Sequence, residues 1–283
     1  MQLDAAEVPF DPAVAGSAAA AFVLWGCAVA VSLAVAAVIG GRMRRGLPAV
    51  SPRPHAPAGW DGGEVATAVA IFFCLQLLAA AAAPPQDMTS QLAVAATAML
   101  LATAAMAAML LRAGADPATL GFGLARLRED AALGVASVGL ALAPLLGLAA
   151  ALDSLVPYRH ALIDFLTAHR DPLAIGLVWF AAVVAAPISE EFLFRRVLQG
   201  WLQQREPQWG RAAPVVLSSL AFALAHVGQG LAWVPLFFFG LVAGYLARQT
   251  GSIVPGIVFH GLFNAVSILL VLAQTAPGTA GGG

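Results

Sequence analysis

The sequence has few charged residues and no lysine. Only 10% of its 283 residues are charged and 60% are hydrophobic, whereas a soluble domain carries about 25% charged residues. All 14 basic residues are arginine and the formal net charge is −1, so no nucleic-acid partner is expected. These proportions exclude an ordinary soluble domain. They predict an all-α fold, a polytopic helical bundle integral to a lipid bilayer.

Residue types that build covalent or metal-bound scaffolds are also scarce. The two cysteines, Cys27 and Cys74, lie in the middle of apolar runs, so neither a disulfide framework nor a cysteine metal site is expected. The sequence contains no His-Glu-x-x-His. No serine follows a glycine two places earlier, and no aspartate lies within a predicted span. Three common types of hydrolytic site are therefore not indicated.

Long apolar runs separated by polar loops predict about eight transmembrane helices, because one span needs about 20 apolar residues. The uncharged run 212–247 is too long for a single span and is divided at Gly228-Gln229-Gly230. The runs divide the chain into an N-terminal extracytoplasmic tail (1–16), four transmembrane helices (17–152), an amphipathic outer connection (153–172), a membrane core (173–274) and a flexible glycine-rich tail (275–283).

The arginines predict the orientation of these spans. With eight spans, twelve of the 14 arginines fall on one side, and Arg159 and Arg170 fall on the other. Cytoplasmic loops carry an excess of basic residues. The N-terminus is therefore expected outside and the arginine-rich loops inside. The expected location is the plasma membrane of a bacterial cell.

The segment Pro187–Arg196 has two adjacent glutamates at the end of a long uncharged run. A charge at bilayer depth costs at least about 2.5–3.5 kcal/mol, so a carboxylate there is a functional candidate. Glu191 and Arg195 are four residues apart and can pair on one helix face. Glu190 points about 100° away and has no partner within its own helix. A solvated helix end is the alternative explanation for Glu191 and the arginines.

Three more polar residues lie inside the last spans. His226 follows Phe222 by four residues, and His260 precedes Asn264 by four, so each pair shares a helix face. Gly261 would let another helix approach closely. One shared site satisfies buried polar groups better than separate burial does. The residues expected to converge are Glu190, His226, His260 and Asn264.

If Arg195 and Pro214 both mark the inner membrane surface, Glu190 and His226 lie at different depths in the bilayer. At 1.5 Å per residue, Glu190 is about 8 Å from Arg195 along its helix, whereas His226 is about 18 Å from Pro214 along the next one. We expect the fifth helix to continue past the glutamates, with its arginines buried. The alternative is a sixth helix that begins below the surface.

These residues form three motifs whose types and order along the chain resemble those of the CPBP intramembrane proteases. That family is related to the type II CAAX prenyl endopeptidases, and its bacterial members are tied to bacteriocin processing and immunity. The motifs are Glu190-Glu191-x-x-x-Arg195, Phe222-x-x-x-His226 and His260-x-x-x-Asn264, within residues 173–270. The resemblance implies that residues 173–274 form the catalytic core of an intramembrane endopeptidase. Such a hydrolase would cleave a peptide bond of a membrane-associated protein or peptide, with its active site toward the cytoplasm.

The resemblance implies proteolysis, and the residues allow two mechanisms. In the first, Glu190 activates water with His226, while His260 and Asn264 form an oxyanion site. This version needs no cofactor. In the second, Glu190, His226 and His260 bind Zn²⁺. The metal-free version is preferred because asparagine is a poor zinc ligand and a natural oxyanion donor. The supporting residues are Glu191, Arg195 and Phe222.

Two non-enzymatic alternatives are also compatible with a membrane bundle. A transporter could use such a polar cluster to bind a proton or a substrate, but the sequence has no internal repeat and no matching pair of broken helices. A scaffold or immunity factor would keep the fold and lose the site. The presence of every motif residue argues against that loss.

Overall fold

The computed structural model describes residues 12–84, 87–157, 164–166, 169 and 171–274. Within those residues the chain forms helices and no strands, so the predicted all-α bundle is confirmed. The helices are α1 Pro12–Arg44, α2 Gly62–Ala82, α3 Met88–Arg112, α4 Leu127–Leu155, α5 Pro172–Gln203, α6 Ala213–Leu224, α7 Trp233–Thr250 and α8 Val254–Gln274. Short 3₁₀ turns at Pro117–Leu120 and Leu124–Arg126 precede α4, and one helical turn, Glu206–Trp209, follows α5.

Each of the eight predicted spans corresponds to one of these helices. Among the described residues, α1 to α5 and α8 are long and apolar enough to cross a membrane, by length and composition. α6 has 12 residues and is about 18 Å long, which is less than a hydrocarbon core of about 30 Å. α7 has 18 residues and ends in the polar sequence Arg248-Gln249-Thr250. Residues 225–232 form turns between α6 and α7, where the long uncharged run was expected to divide.

Aspartates set the starts of three helices. Asp61 Oδ1 accepts hydrogen bonds from the backbone N–H groups of Gly63 and Glu64, and the Glu64 side chain accepts one from the Asp61 N–H. This capping box starts α2 three residues before the predicted span. The Gly63 and Glu64 N–H groups lower the pKa of the Asp61 carboxyl, because they stabilise its charged form. Asp87 and Asp171 cap α3 and α5.

α5 lies at the centre of the bundle. It packs against α2, α3, α6, α7 and α8, while α4 packs against α1, α7 and α8. The largest buried side chains at the centre are those of Phe192, Phe222, Phe239 and Phe259. The first four helices therefore contribute α2, α3 and α4 directly to the walls around the last four.

The α1–α2 loop crosses one end of this bundle. Arg53 forms an ion pair with the buried Asp130 at the start of α4, and its backbone N–H donates to the Gln249 carbonyl at the end of α7. Trp60 Nε1 donates to the Val197 carbonyl of α5 at 2.9 Å. The loop thereby joins the start of α4 and the end of α7 to the second half of α5.

Parts of the predicted connection and tails lie outside the described residues. These are residues 158–163, 167, 168 and 170 of the amphipathic connection, 1–11 of the N-terminal tail, and the whole glycine-rich tail. Within the connection, Phe165 and Leu166 are buried against α5 and α8. Residues 12–16, predicted as tail, belong to α1.

Candidate active site

The two adjacent glutamates lie within α5, which continues past them to Gln203. Two segments of this helix, Phe180–Ala185 and Glu191–Leu198, have π-helical hydrogen bonding. A π-helical segment changes the direction of the side chains that follow it, and such segments are frequent at functional sites. The irregular helix therefore decides where the glutamates and arginines point.

Both arginines after the glutamates are buried. Arg195 is 2% exposed and Arg196 is 5% exposed. The prediction that the fifth helix continues with its arginines buried is confirmed, and the solvated-end explanation is excluded. Two cations therefore lie inside the bundle at this point.

His260 on α8 lies between the two glutamates. Its Nε2 is 3.9 Å from Glu190 Oε2, and its Nδ1 is 3.3 Å from Glu191 Oε1. Glu191 Oε2 is 3.3 Å from Arg195 Nε, an ion pair that is not aligned as a hydrogen bond. The side chains of Glu191 and Arg195 are fully buried, whereas that of Glu190 is 13% exposed. Glu190 is thus the carboxylate of the two that an incoming molecule can reach.

Gly256 shapes this arrangement, although no sequence motif pointed to it. It lies one turn before His260 on α8, and a Cβ atom there would be 2.7 Å from Glu191 Oε2. A side chain there would have to displace the Glu191 carboxylate from its contacts, so glycine lets α8 approach the buried carboxylate. The four-residue spacing from Gly256 to His260, which puts both on one helix face, is the signal that could have found it.

Phe222 is the common neighbour of the three motifs. The Arg195 guanidinium lies over its ring at 4.7 Å, and its ring centroid is 4.8 Å from that of His226 and 6.0 Å from that of His260. His226 Nδ1 donates to the Phe222 carbonyl oxygen at 2.8 Å. In the described part of the chain, no hydrogen bond or ion pair joins His226 to Glu190 or His260. The motifs therefore converge on one aromatic ring, with Glu190 and His260 in the closer polar contact.

Asn264 joins α8 to the first π-helical segment of α5. Its Nδ2 donates to the Ala182 carbonyl at 2.8 Å. A Cβ atom on the nearby Gly261 would lie 2.7 Å from the Val183 carbonyl oxygen, so the predicted close helix approach at Gly261 is confirmed. The amide nitrogen has two N–H groups, and this contact uses one of them.

The zinc alternative requires three ligands at one point. Among the residues that the structure describes, no group of three or more His, Cys, Asp or Glu side chains is placed to hold a metal ion. Glu190 and His260 are neighbours. His226 donates from Nδ1 to a backbone carbonyl, which leaves its Nε2 available, but no described hydrogen bond or ion pair joins His226 to either of the other two. The geometry therefore brings together two of the three side chains that a catalytic zinc site uses.

Comparison with known protein families matches residues 172–266 to a family described as "Type II CAAX prenyl endopeptidase Rce1-like". The match covers about a third of the chain and contains all three motifs. The predicted resemblance to the CPBP proteases is confirmed. No curated protein and no solved structure matches the chain. The matched region extends from α5 into α8 of a multi-pass membrane protein, and the match supports a CAAX-type intramembrane endopeptidase in general terms.

Proposed function

We propose that this chain is an intramembrane endopeptidase that hydrolyses a peptide bond of a membrane-associated protein or peptide. The observation that carries the proposal is the pair formed by Glu190 and His260. The accessible carboxylate and the ring Nε2 are 3.9 Å apart inside the bundle. This separation is longer than a direct hydrogen bond and lets each group contact a different oxygen of one reacting centre, Glu190 the attacking water and His260 the carbonyl oxygen. The family match supports the type of reaction.

Glu190 acts as the general base in the proposed reaction. It takes a proton from a water molecule, whose oxygen attacks the carbonyl carbon of the scissile peptide bond. The tetrahedral intermediate then collapses, the C–N bond breaks, and Glu190 returns the proton to the leaving nitrogen. Glu190 is ionised again at the end of the cycle. A group for this role must be reachable, and Glu190 is the more exposed of the two glutamates.

His260 and Asn264 stabilise the oxyanion of the tetrahedral intermediate. They lie one turn apart on α8, and each good donor contributes about 3–4 kcal/mol to catalysis. A ring that carries both protons can donate from Nδ1 to Glu191 and from Nε2 to the oxyanion. Glu191 and Arg195 hold the ring and the helix in position.

His226 orients the attacking water in this proposal. Because its Nδ1 donates to the Phe222 carbonyl, Nε2 of the neutral ring is an acceptor. An acceptor beside the water lets the second hydrogen of that water point away from Glu190. The Phe222 ring, which contacts both histidines, sets the distance between them.

The test is peptide cleavage by the purified protein in liposomes. One substrate ends in a prenylated CAAX sequence and the other is the same peptide without the prenyl group, with products measured by mass spectrometry. Wild-type protein should cleave at least one of them. Glu190→Gln should abolish cleavage and keep the unfolding temperature, because an amide fills the same volume but cannot accept the proton.

Two controls sharpen this test. Glu129→Gln changes a glutamate that is 62% exposed at the start of α4 and should leave cleavage unchanged. A strong chelator should also leave it unchanged if the reaction is metal-free. Wild-type rates from Glu190→Gln would refute the assignment of the base. Loss of activity in chelator, restored by added zinc, would favour Glu190, His226 and His260 as metal ligands instead.

A further inference from the structure

The turn between α6 and α7, residues 225–232, lies at the depth of the hydrocarbon core. Arg211 before α6 and Arg248 near the end of α7 are at one level, because Arg248 Nη1 donates to the Arg211 carbonyl at 2.8 Å. α6 has 12 residues and is about 18 Å long, and the part of α7 before Arg248 is about 22 Å long. The α6–α7 turn is therefore about 20 Å from these arginines, within a core about 30 Å thick.

Several polar groups of the α6–α7 turn have no hydrogen-bond partner in the described part of the chain. They are the backbone N–H groups of Gly228, Gly230 and Leu231 and the side-chain amide of Gln229. Val227 and Gly228 are exposed, so the described residues do not cover this turn. At bilayer depth, irregular backbone is tolerated where it is buried in protein or lines a water-filled cavity. An exposed polar turn at this depth therefore calls for water.

The α6–α7 turn also adjoins the candidate active site. His226 is its second residue, and the Phe222 ring lies 4.8 Å from the His226 ring and 6.0 Å from the His260 ring. The Gln229 N–H donates to the His226 carbonyl at 2.9 Å, which folds the polar part of the turn back toward this histidine. Peptide hydrolysis consumes a water molecule in each cycle. A site enclosed by helices therefore needs a route for water, and the polar turn lies beside it.

We propose that the α6–α7 turn lines a water-filled recess through which water reaches His226 and Glu190. The inference rests on the proposed function, because it assigns this water to peptide hydrolysis. Water in the recess supplies hydrogen-bond partners to the turn. Gly228 keeps space free there, since a Cβ atom at this position would have no neighbouring atom within 4 Å. Its φ is not positive, so a side chain can be introduced without backbone strain.

The first test measures access of water to the turn. Cys27 and Cys74 are replaced by alanine, single cysteines are introduced, and the protein in liposomes is exposed on both sides to a charged methanethiosulfonate reagent. Gly228→Cys should be labelled. Leu77→Cys is the matched control, because Leu77 is 70% exposed on α2 and lies about 22 Å from the start of that helix. It should remain unlabelled, since a charged reagent does not enter hydrocarbon.

The second test fills the recess. Gly228→Leu should lose most of its cleavage activity and keep its unfolding temperature, because the new side chain takes the space of the water. Gly176→Leu is the control: Gly176 also lies in open surroundings, near the start of α5 and outside the turn. This variant should cleave at the wild-type rate, as measured with the same peptides in liposomes.

The labelling does not depend on proteolysis, so it is repeated in Glu190→Gln protein and should be unchanged there. Absence of labelling at Gly228→Cys, or equal labelling of Gly228→Cys and Leu77→Cys, overturns the recess even if the protein cleaves its substrate. Wild-type cleavage by Gly228→Leu overturns its role as the route for water. Labelling of Gly228→Cys in a protein that cleaves neither peptide refutes the proposed function and supports the recess.

Discussion

The Glu191 carboxylate holds two partners from different helices. Arg195 Nε and His260 Nδ1 each lie 3.3 Å from one of its oxygens, and its side chain is fully buried. Glu191→Gln removes the negative charge and leaves Arg195 buried without a counter-ion. Breaking a buried pair in this way costs roughly 3–5 kcal/mol. We expect Glu191→Gln to lower the free energy of unfolding by about that amount, as measured by denaturation in detergent.

An exposed glutamate provides the comparison for this loss. Glu129→Gln breaks contacts with Arg53 and Arg126 at the surface, and exposed pairs contribute about 0–1 kcal/mol. If Glu191→Gln were as stable as wild type but inactive, while Glu190→Gln kept its activity, the roles assigned to the two glutamates would be reversed.

Asn264 has both a structural contact and a proposed catalytic role, and the two can be separated. Asn264→Ala removes the proposed oxyanion donor, so turnover should fall by about 10²–10³ with little change in substrate binding. It also removes the donor to the Ala182 carbonyl, which costs about 1–3 kcal/mol of stability. Cleavage rates and unfolding are measured on the same protein.

Ser267→Ala is the control for the structural part of this change. Ser267 lies one turn further along α8, and its hydroxyl donates to the Phe263 carbonyl at 2.9 Å. This variant loses a side-chain hydrogen bond on the same helix and should keep its turnover. Turnover of Asn264→Ala within threefold of wild type would remove Asn264 from the oxyanion site.

At the scale of the helices, α8 comes close to α5 because glycines face α5. A Cβ atom on Gly261 would lie 2.7 Å from the Val183 carbonyl oxygen, which belongs to the backbone and cannot swing aside. Gly261→Ala must therefore push α8 away from α5. Overpacking of this kind costs about 1–3 kcal/mol, and it also moves His260 relative to Glu190. We expect lower stability in denaturation and reduced cleavage.

The comparison for this variant is a glycine in open surroundings. Gly176 lies in α5, and a Cβ atom added there would have no neighbouring atom within 4 Å. Gly176→Ala should therefore be neutral or slightly stabilising. Equal behaviour of the two variants would show that close approach of α8 is not needed.

The helices and the order of the motifs could be predicted because both follow from residue type and spacing. The lengths of the apolar runs predicted eight helices. The four-residue spacing predicted that Glu191 and Arg195 share one helix face, and that His260 and Asn264 share another. The contacts of His260 could not be predicted in the same way. They depend on how the π-helical segments turn α5 and on how closely Gly256 admits α8, which are properties of packing between helices distant in sequence.

For the whole molecule, contacts between loops sort the helix ends into two groups. Arg53 in the α1–α2 loop pairs with Asp130 at the start of α4, and Arg248 at the end of α7 pairs with Glu206 after α5. At the other end, Met88 at the start of α3 and Ile175 near the start of α5 pack on one buried cluster. The loops rich in arginine therefore lie together at one end of the bundle.

This sorting leads to a prediction of orientation. Because basic loops are retained in the cytoplasm, the arginine-rich end should face inside and the end with Asp87 and Asp171 should face outside. Single cysteines are introduced at each end, after Cys27 and Cys74 have been replaced by alanine, and labelled on intact cells with a membrane-impermeant maleimide. The labelled positions are Arg44, Arg126, Asp87 and Asp171.

Cysteines at Asp87 and Asp171 should react on intact cells, and those at Arg44 and Arg126 should react after permeabilisation. The opposite pattern would reverse the predicted orientation. Labelling of Asp87 and Arg126 from the same side would contradict the number of crossings between them, because α3 is the helix that separates these two positions. The cysteines at Asp87 and Asp171 should react from the same side, whichever side that is, because the starts of α3 and α5 pack on one buried cluster.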